Sequence, residues 1–217
     1  MKTLKADWLI WTIILAPYIL VAWFWNSFPE MVPTHFGLDG NPDNYSSKVV
    51  GFIILPGTNI VMYFLFLFLP KIDPRRKNYE LFPEKYRVIR LGIHSFLSYL
   101  LVVTIFYSLG YRFDISFMVL YGILILFLIL GNVMGNIRNN FFVGIRTPWT
   151  LASEEVWTKT HRLAAKVWVV SSLITMVLIA ILPHPEIVFG IYVGVILIIP
   201  IVYSFLVYKK LSLKKGR

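Results

Sequence analysis

The residues best suited to chemistry lie in one polar segment, "NNFFVGIRTPWTLASEEVWTKTHRLAAKVW" (Asn139–Trp168), set between long apolar runs. It holds His161, the adjacent acids Glu154 and Glu155, and the guanidinium of Arg146. A carboxylate and an imidazole in one segment suit proton transfer, with the guanidinium steadying an anionic group. Arg146 equally suits a bidentate contact with an acidic partner, or a pairing with Glu154 or Glu155 that anchors the segment at the headgroups. Trp157, His161, Ala164 and Trp168 recur at helical spacing, so the plainer role for His161 is an interfacial hydrogen-bonding group on a helix face. Asn132 and Asn136, four apart in "GNVMGN", are expected on one helix face, where a polar pair more often bonds a neighbouring helix than a ligand.

Metal and cofactor chemistry finds little support. The four histidines, His35, His94, His161 and His184, fall in different loops or spans, and no HExxH pair occurs. "DGNPDN" places Asp39, Asn41 and Asp43 at the first, third and fifth positions of a calcium loop, but Asn44 stands where glycine is needed and Val50 where a bidentate glutamate is needed. Loop shaping explains it better. Cysteine is absent, which removes thiolate ligands and disulfides. Nucleophile elbows, paired intramembrane aspartates and the matched broken helices or buried coupling acids of a transporter are likewise missing from this reading. No cofactor is expected, and the chain is expected not to be an enzyme; an inner-leaflet enzyme using Glu154 or Glu155 with His161 is the alternative.

The elements that position these residues follow from hydropathy. Of 217 residues, 58% are hydrophobic and 15% charged, which exceeds the needs of one soluble core. Six apolar runs are long enough to span a bilayer: Trp8 to Trp25, Val49 to Leu69, Leu91 to Leu109, Ile115 to Met134, Ala165 to Leu182 and Ile187 to Tyr208. The expected fold is all-α, a polytopic bundle of six transmembrane helices forming a single membrane domain over 1–217. The first run has the basic start of a signal peptide but carries four tryptophans and no small-residue cleavage site, so it reads as a retained helix. Lysine and arginine number nineteen on one set of alternating loops and two on the other, which directs both termini to the cytoplasm. The same distribution accounts for the net charge of +10 without direct nucleic-acid binding, and the tail "KKLSLKKGR" suits anionic headgroups of the lipid bilayer.

Three polar islands interrupt the apolar pattern. Phe28 to Lys48, with its "DGNPDN" turn cluster, reads as a compact outer loop. Pro70 to Arg90 reads as an inner loop ending in a basic amphipathic helix after Pro83 that lies at the interface. The third, 135–164, is also inner: "GIRTPWT" reads as a turn, and Ser153 with Glu154 and Glu155 as a capped helix start. Pro17, Pro56 and Pro200 lie within spans and are expected to kink them, above all at "LPGTN", while Gly92, Gly131 and Gly135 suit close helix contact.

The block "GNVMGNIRNNFFVGIRTPWTLASEEVWTKTHRLA" resembles the signature of the SdpI family of bacterial immunity proteins, a GN...N.F.GIRTPWTL.SE.VW..TH pattern. "VPTHFGLDGNPDNYSSK" is similar to that family's amino-terminal domain of unknown function, here 1–70, and "LPKIDPRRKNYELF" to its second loop; the SdpI-like core would occupy 91–208. The resemblance implies resistance to a secreted peptide toxin, and a receptor role in which a cytoplasmic autorepressor is held at the membrane. It places a partner surface on Asn132, Asn136, Asn140, Phe141, Gly144, Arg146, Thr147, Pro148, Trp149, Glu154, Trp157, Thr160 and His161. His35, Gly40, Pro42, Asp43 and Tyr45, with the neighbouring Asp39, would form an outer recognition loop. Glu30, Asp39, Asp43, Asp114 and Glu186 outnumber Lys48 and Arg112 on the outer face, an acidic mouth for a basic peptide.

Overall fold

The computed structural model describes residues 7–37 and 40–215. Helix α1 (Trp8–Trp23) is followed by a 3₁₀ turn (Trp25–Ser27) and the strands β1 (Met31–Phe36) and β2 (Pro42–Ser47). A π-turn (Val50–Ile54) runs into α2 (Leu55–Ile72), and a second 3₁₀ turn (Arg76–Leu81) precedes α3 (Pro83–Ser108). Helices α4 (Ile115–Met134), α5 (Pro148–Ala152), α6 (Glu154–Ile181) and α7 (Pro185–Lys215) complete the chain. Five helical stretches are long and apolar enough to cross a membrane: Val50–Ile72, Pro83–Ser108, Ile115–Met134, Glu154–Ile181 and Pro185–Leu213. The sixth apolar helix, α1, has 16 residues and so reaches about 24 Å. The chain is an all-α multi-pass membrane protein carrying one small β-hairpin.

Two compact units divide it, residues 1–66 with 90–123 and residues 67–89 with 124–217. In the first, Val21, Phe28, Val32, Phe52, Leu101 and Ile105 form an apolar core. The hairpin enters that core through Val32, which is fully buried. Gly51 makes room for it, since a Cβ there would stand 2.4 Å from Val32 Cγ2. Met31–Phe36 and Pro42–Ser47 thus pair as an antiparallel hairpin where the sequence suggested a compact loop. Its pairing slips at Thr34 and again before Phe36, and Val32 and Pro33 are both buried, so the usual alternation is absent.

A polar stripe runs down one face of α3 in the same unit. Arg90, His94 and Ser98, four apart, are all buried. Arg90 Nη2 donates to Asp7 Oδ2 at 2.7 Å, and Tyr63 Oη donates to the same oxygen at 3.2 Å. Asn59 Oδ1 lies 2.6 Å from His94 Nδ1, while Asn59 Nδ2 donates to Ser98 Oγ at 3.1 Å. These partners correct two expectations. The basic stretch after Pro83 is the first turns of a continuous 26-residue α3, because Arg90 finds an internal carboxylate and does not need the interface. Buried acids do exist: Asp7 is 3% and Asp73 2% exposed. The distortion expected at "LPGTN" takes the form of the π-turn before Pro56, where Leu55 N–H reaches back to the Val50 carbonyl. The wide turn relieves the crowding that a proline ring imposes on the preceding carbonyls.

The second unit is built on α6 and α7. Gly131 of α4 lets the Trp168 and Val169 side chains approach to 3.0 Å of where a Cβ would stand, the close contact expected of it. Pro200, inside α7, has no N–H to offer the Ile196 carbonyl. Trp168 Nε1 of α6 donates to that carbonyl at 3.1 Å, satisfying a group that lipid would leave unpaired. Ser172 Oγ and Tyr192 Oη, 2.9 Å apart, add a second cross-helix bond.

Candidate functional site

The signature segment is organised from within by Asn140, which is fully buried. Its Oδ1 accepts from the amides of Phe142 (2.9 Å) and Val143 (2.7 Å), and its Nδ2 donates to the carbonyls of Arg138 and Val143 at 2.9 Å each. Asparagine supplies both donors and acceptors to a short non-helical run, which no apolar or singly functional side chain could do. The 73–82 stretch of the same unit closes around this turn. The single proton of Tyr79 Oη is shared between Asn140 Oδ1 and Asp73 Oδ2, each at 3.1 Å, and the Phe141 amide donates to Asp73 Oδ2 at 2.9 Å. Burial, reinforced by the Asp73 carboxylate, holds the Tyr79 hydroxyl well above the ordinary tyrosine range, so it remains a donor. Arg75 donates to Asn139 Oδ1 and, at 3.0 Å, to the Leu151 carbonyl. Asn78 Nδ2 donates to the Asn139 carbonyl at 2.6 Å.

Downstream, Gly144 adopts φ +115, and a Cβ there would stand 2.4 Å from His161 Nε2. Glycine is required on both counts. The Ile145 amide donates to His161 Nε2 at 3.0 Å, so that nitrogen is an acceptor; Nδ1 lies 2.9 Å from the Trp157 carbonyl and carries the proton. The imidazole stacks on Trp157 with centroids 4.0 Å apart, and Trp157 Nε1 donates to the Ile137 carbonyl at 2.8 Å. His161 is therefore a latch that joins the segment to α6. Both ring nitrogens are engaged within the chain, and Glu155 is paired to Lys159 at 2.6 Å.

Of the "GIRTPWT" stretch expected as a turn, residues 144–147 are non-helical, whereas Pro148 begins the short helix α5, "PWTLA". Thr147 caps it: its Oγ1 accepts from the Thr150 amide, Thr150 Oγ1 accepts from the Thr147 amide, and Pro148 occupies the first helical position. Thr147 Oγ1 lies 3.1 Å from Ser204 Oγ of α7, and Trp149 packs against Phe205 with centroids 5.1 Å apart. Ser153 caps α6 through the Val156 amide, as expected, with Glu154 and Glu155 in its first turn.

The remaining predicted residues divide by exposure. Thr160 is buried beside His161, whereas Asn132, Asn136, Arg146, Pro148 and Glu154 are exposed. Arg146 donates to the Phe141 carbonyl at 2.8 Å, the role taken in place of a pairing with Glu154 or Glu155. Asn132 and Asn136 do not share a helix face, because α4 ends at Met134 and Asn136 lies in the following turn. Sequence reasoning missed Asp73, Arg75, Asn78, Tyr79 and Asn139. The Asp73–Pro74 turn was the available signal, for Asp73 Oδ1 accepts the Arg75 amide at 2.7 Å.

In the first unit, His35 Nδ1 and Asp43 Oδ1 lie 2.5 Å apart on the exposed face of the hairpin. Gly40, at φ +76, has Ser116 Oγ at 3.1 Å from an ideal Cβ. Pro42 starts β2, Tyr45 is half exposed, and Asp39 lies outside the described residues. Glu30 is bonded to Lys48 at 2.8 Å, and Asp114 accepts the Phe117 amide at 2.9 Å. Of the acids expected to form an acidic mouth, Glu30 is thus paired with a cation and Asp114 with a backbone amide. Residues 33–36 of the hairpin roof a cavity of about 410 Å³, walled by Ile14, Leu97, Leu101 and Val119 and reaching the polar Asn59 and Ser98.

The profile of the SdpI/YfhL protein family matches residues 136–204, and that of a domain of unknown function (DUF1648) matches residues 12–60. The chain is 30% identical over 151 residues to the "Immunity protein SdpI" of Bacillus subtilis (strain 168), covering 69% of this chain and 70% of that one. The chain belongs to the SdpI family. No solved structure matches it. The family match at 136–204 contains the Asn140 turn, the His161 latch and α5, and the amino-terminal match contains the hairpin with its His35–Asp43 pair. Asp73, Arg75, Asn78 and Tyr79, which complete the network, fall outside both matched ranges.

Proposed function

We propose that the chain is an integral-membrane immunity protein that protects a bacterium from a secreted antimicrobial peptide. The hairpin over its apolar cavity is the observation that carries the reading: an exposed polar pair, His35 and Asp43, stands above a concavity able to take an apolar part of an amphipathic peptide. The similarity to an immunity protein of Bacillus subtilis supports the same role. In this reading both termini are cytoplasmic, the hairpin is extracellular and the signature segment is cytoplasmic. The buried members of the signature, Asn140, Thr147, Trp157 and His161, hold that segment in shape. A cytoplasmic partner such as an autorepressor would meet the exposed ones, Asn136, Arg146 and Glu154.

Binding of a labelled killing peptide to the full chain in lipid nanodiscs tests the proposal. Asp43→Ala, which unpairs His35, is expected to weaken peptide binding by roughly tenfold, a loss typical of a charged hydrogen-bonding group. Arg146→Ala should leave it unchanged. No saturable binding to the intact chain, or equal losses in both variants, would refute the role of the hairpin.

A further inference from the structure

A second concavity, of about 320 Å³, lies in the unit formed by residues 67–89 and 124–217. Lys85 of α3, Arg138 from the turn after α4 and Arg162 of α6 all line it, together with Asn136, Thr158 and the single acid Glu84. Three cations from three separate chain segments converge on one pocket. Among the described residues none of the three makes an ion pair, whereas Lys48, Arg90 and Lys159 all do. Arg162 lies beside the turn after α4: its Cα stands 3.7 Å and its Cγ 3.8 Å from where a Cβ on Gly135 would be, an ordinary packing distance. The first turn of the 26-residue α3 also lines the pocket, and its initial amides have no partner within the helix.

The geometry points to a binding site for a phosphate group, assigned to Lys85, Arg138 and Arg162 with Asn136 and Thr158 as neutral hydrogen-bonding partners. Guanidinium pairs match phosphate oxygens bidentately, and a lysine adds a point charge. A pocket with three cations and one acid favours an anion over a zwitterion or a cation. The site lies at the polar ends of apolar runs: the run of α3 begins after Arg90, that of α4 ends at Met134, and α6 has no charged residue after Lys166. That level suits the phosphate of an anionic lipid headgroup, and the same chemistry would accept a water-soluble phosphate. The inference is independent of the peptide reading, since no hairpin residue takes part. It also gives the exposed signature residue Asn136 a ligand to contact.

The test uses the full chain, purified in a non-ionic detergent and stripped of lipid, titrated with short-chain phosphatidylglycerol and separately with inorganic phosphate. Saturable binding is expected, weakened by about tenfold or more in Arg138→Gln and in Arg162→Gln. Glu84→Gln removes the opposing charge and should tighten binding several-fold, a gain that misfolding cannot mimic. Lys209→Gln, an exposed cation on α7, should have no effect. Displacement of the lipid by inorganic phosphate would make the ligand a soluble phosphate, and binding of the lipid alone would make it a headgroup. Absence of saturable binding by either compound, or equal losses in Lys209→Gln and the arginine variants, would overturn the site.

Discussion

His161 and Gly144 work as one device at the residue scale. A histidine between tryptophans suggested either a catalyst or an interfacial group, and in the structure both its nitrogens have partners within the segment. Gly144→Ala would push a methyl group into the imidazole while forcing φ +115 on an L-residue, so a loss of about 1–3 kcal/mol in thermal stability is expected in detergent. His161→Ala should cost a similar amount by stranding the Ile145 amide. Retained stability in either variant would dissolve the latch. The Asp7–Arg90 pair makes an opposite prediction. Removing Arg90 alone by Arg90→Leu should cost about 3–5 kcal/mol because it leaves a buried carboxylate unpaired, and the double change with Asp7→Leu should recover most of it. Membrane abundance of the two variants decides the matter.

At the scale of elements, Trp168 and Pro200 couple α6 to α7. Trp168→Phe should cost about 1–3 kcal/mol by orphaning the Ile196 carbonyl. In a Pro200→Ala background the restored N–H can take that carbonyl, so the same substitution should cost less, and a double-mutant cycle should give a clear coupling energy. Additive effects would contradict the assignment. Much at this scale was readable from sequence: the apolar runs, the Ser153 cap and the Trp157–His161–Trp168 face all depend on residues near one another in the chain. The hairpin was not readable, because Pro33, Pro42 and two register slips erase its period-two pattern. Helix α5 was missed because Thr147 and Thr150 reveal themselves as a reciprocal cap only once the backbone has turned.

At the scale of the whole molecule, the partners that define the sites are distant in sequence. Asp7 and Arg90 are 83 positions apart and Asp73 and Phe141 are 68, so composition sees only isolated charges. Counting cations by loop placed Arg90 among the inner charges although it is buried; without it the remaining asymmetry is eighteen to two, and the proposed orientation keeps its basis. A cysteine at Ser46 of β2, introduced by Ser46→Cys into a chain that has no other, should react with an impermeant thiol reagent on intact cells. Labelling only after lysis would reverse the topology. The most direct test of the central claim is survival of sensitive bacteria that express the chain and are challenged with the family's killing peptide, beside Asp43→Ala and Arg146→Ala variants at matched membrane abundance. The account predicts protection by the intact chain and its loss in Asp43→Ala; death of cells carrying the intact, fully inserted chain would contradict it.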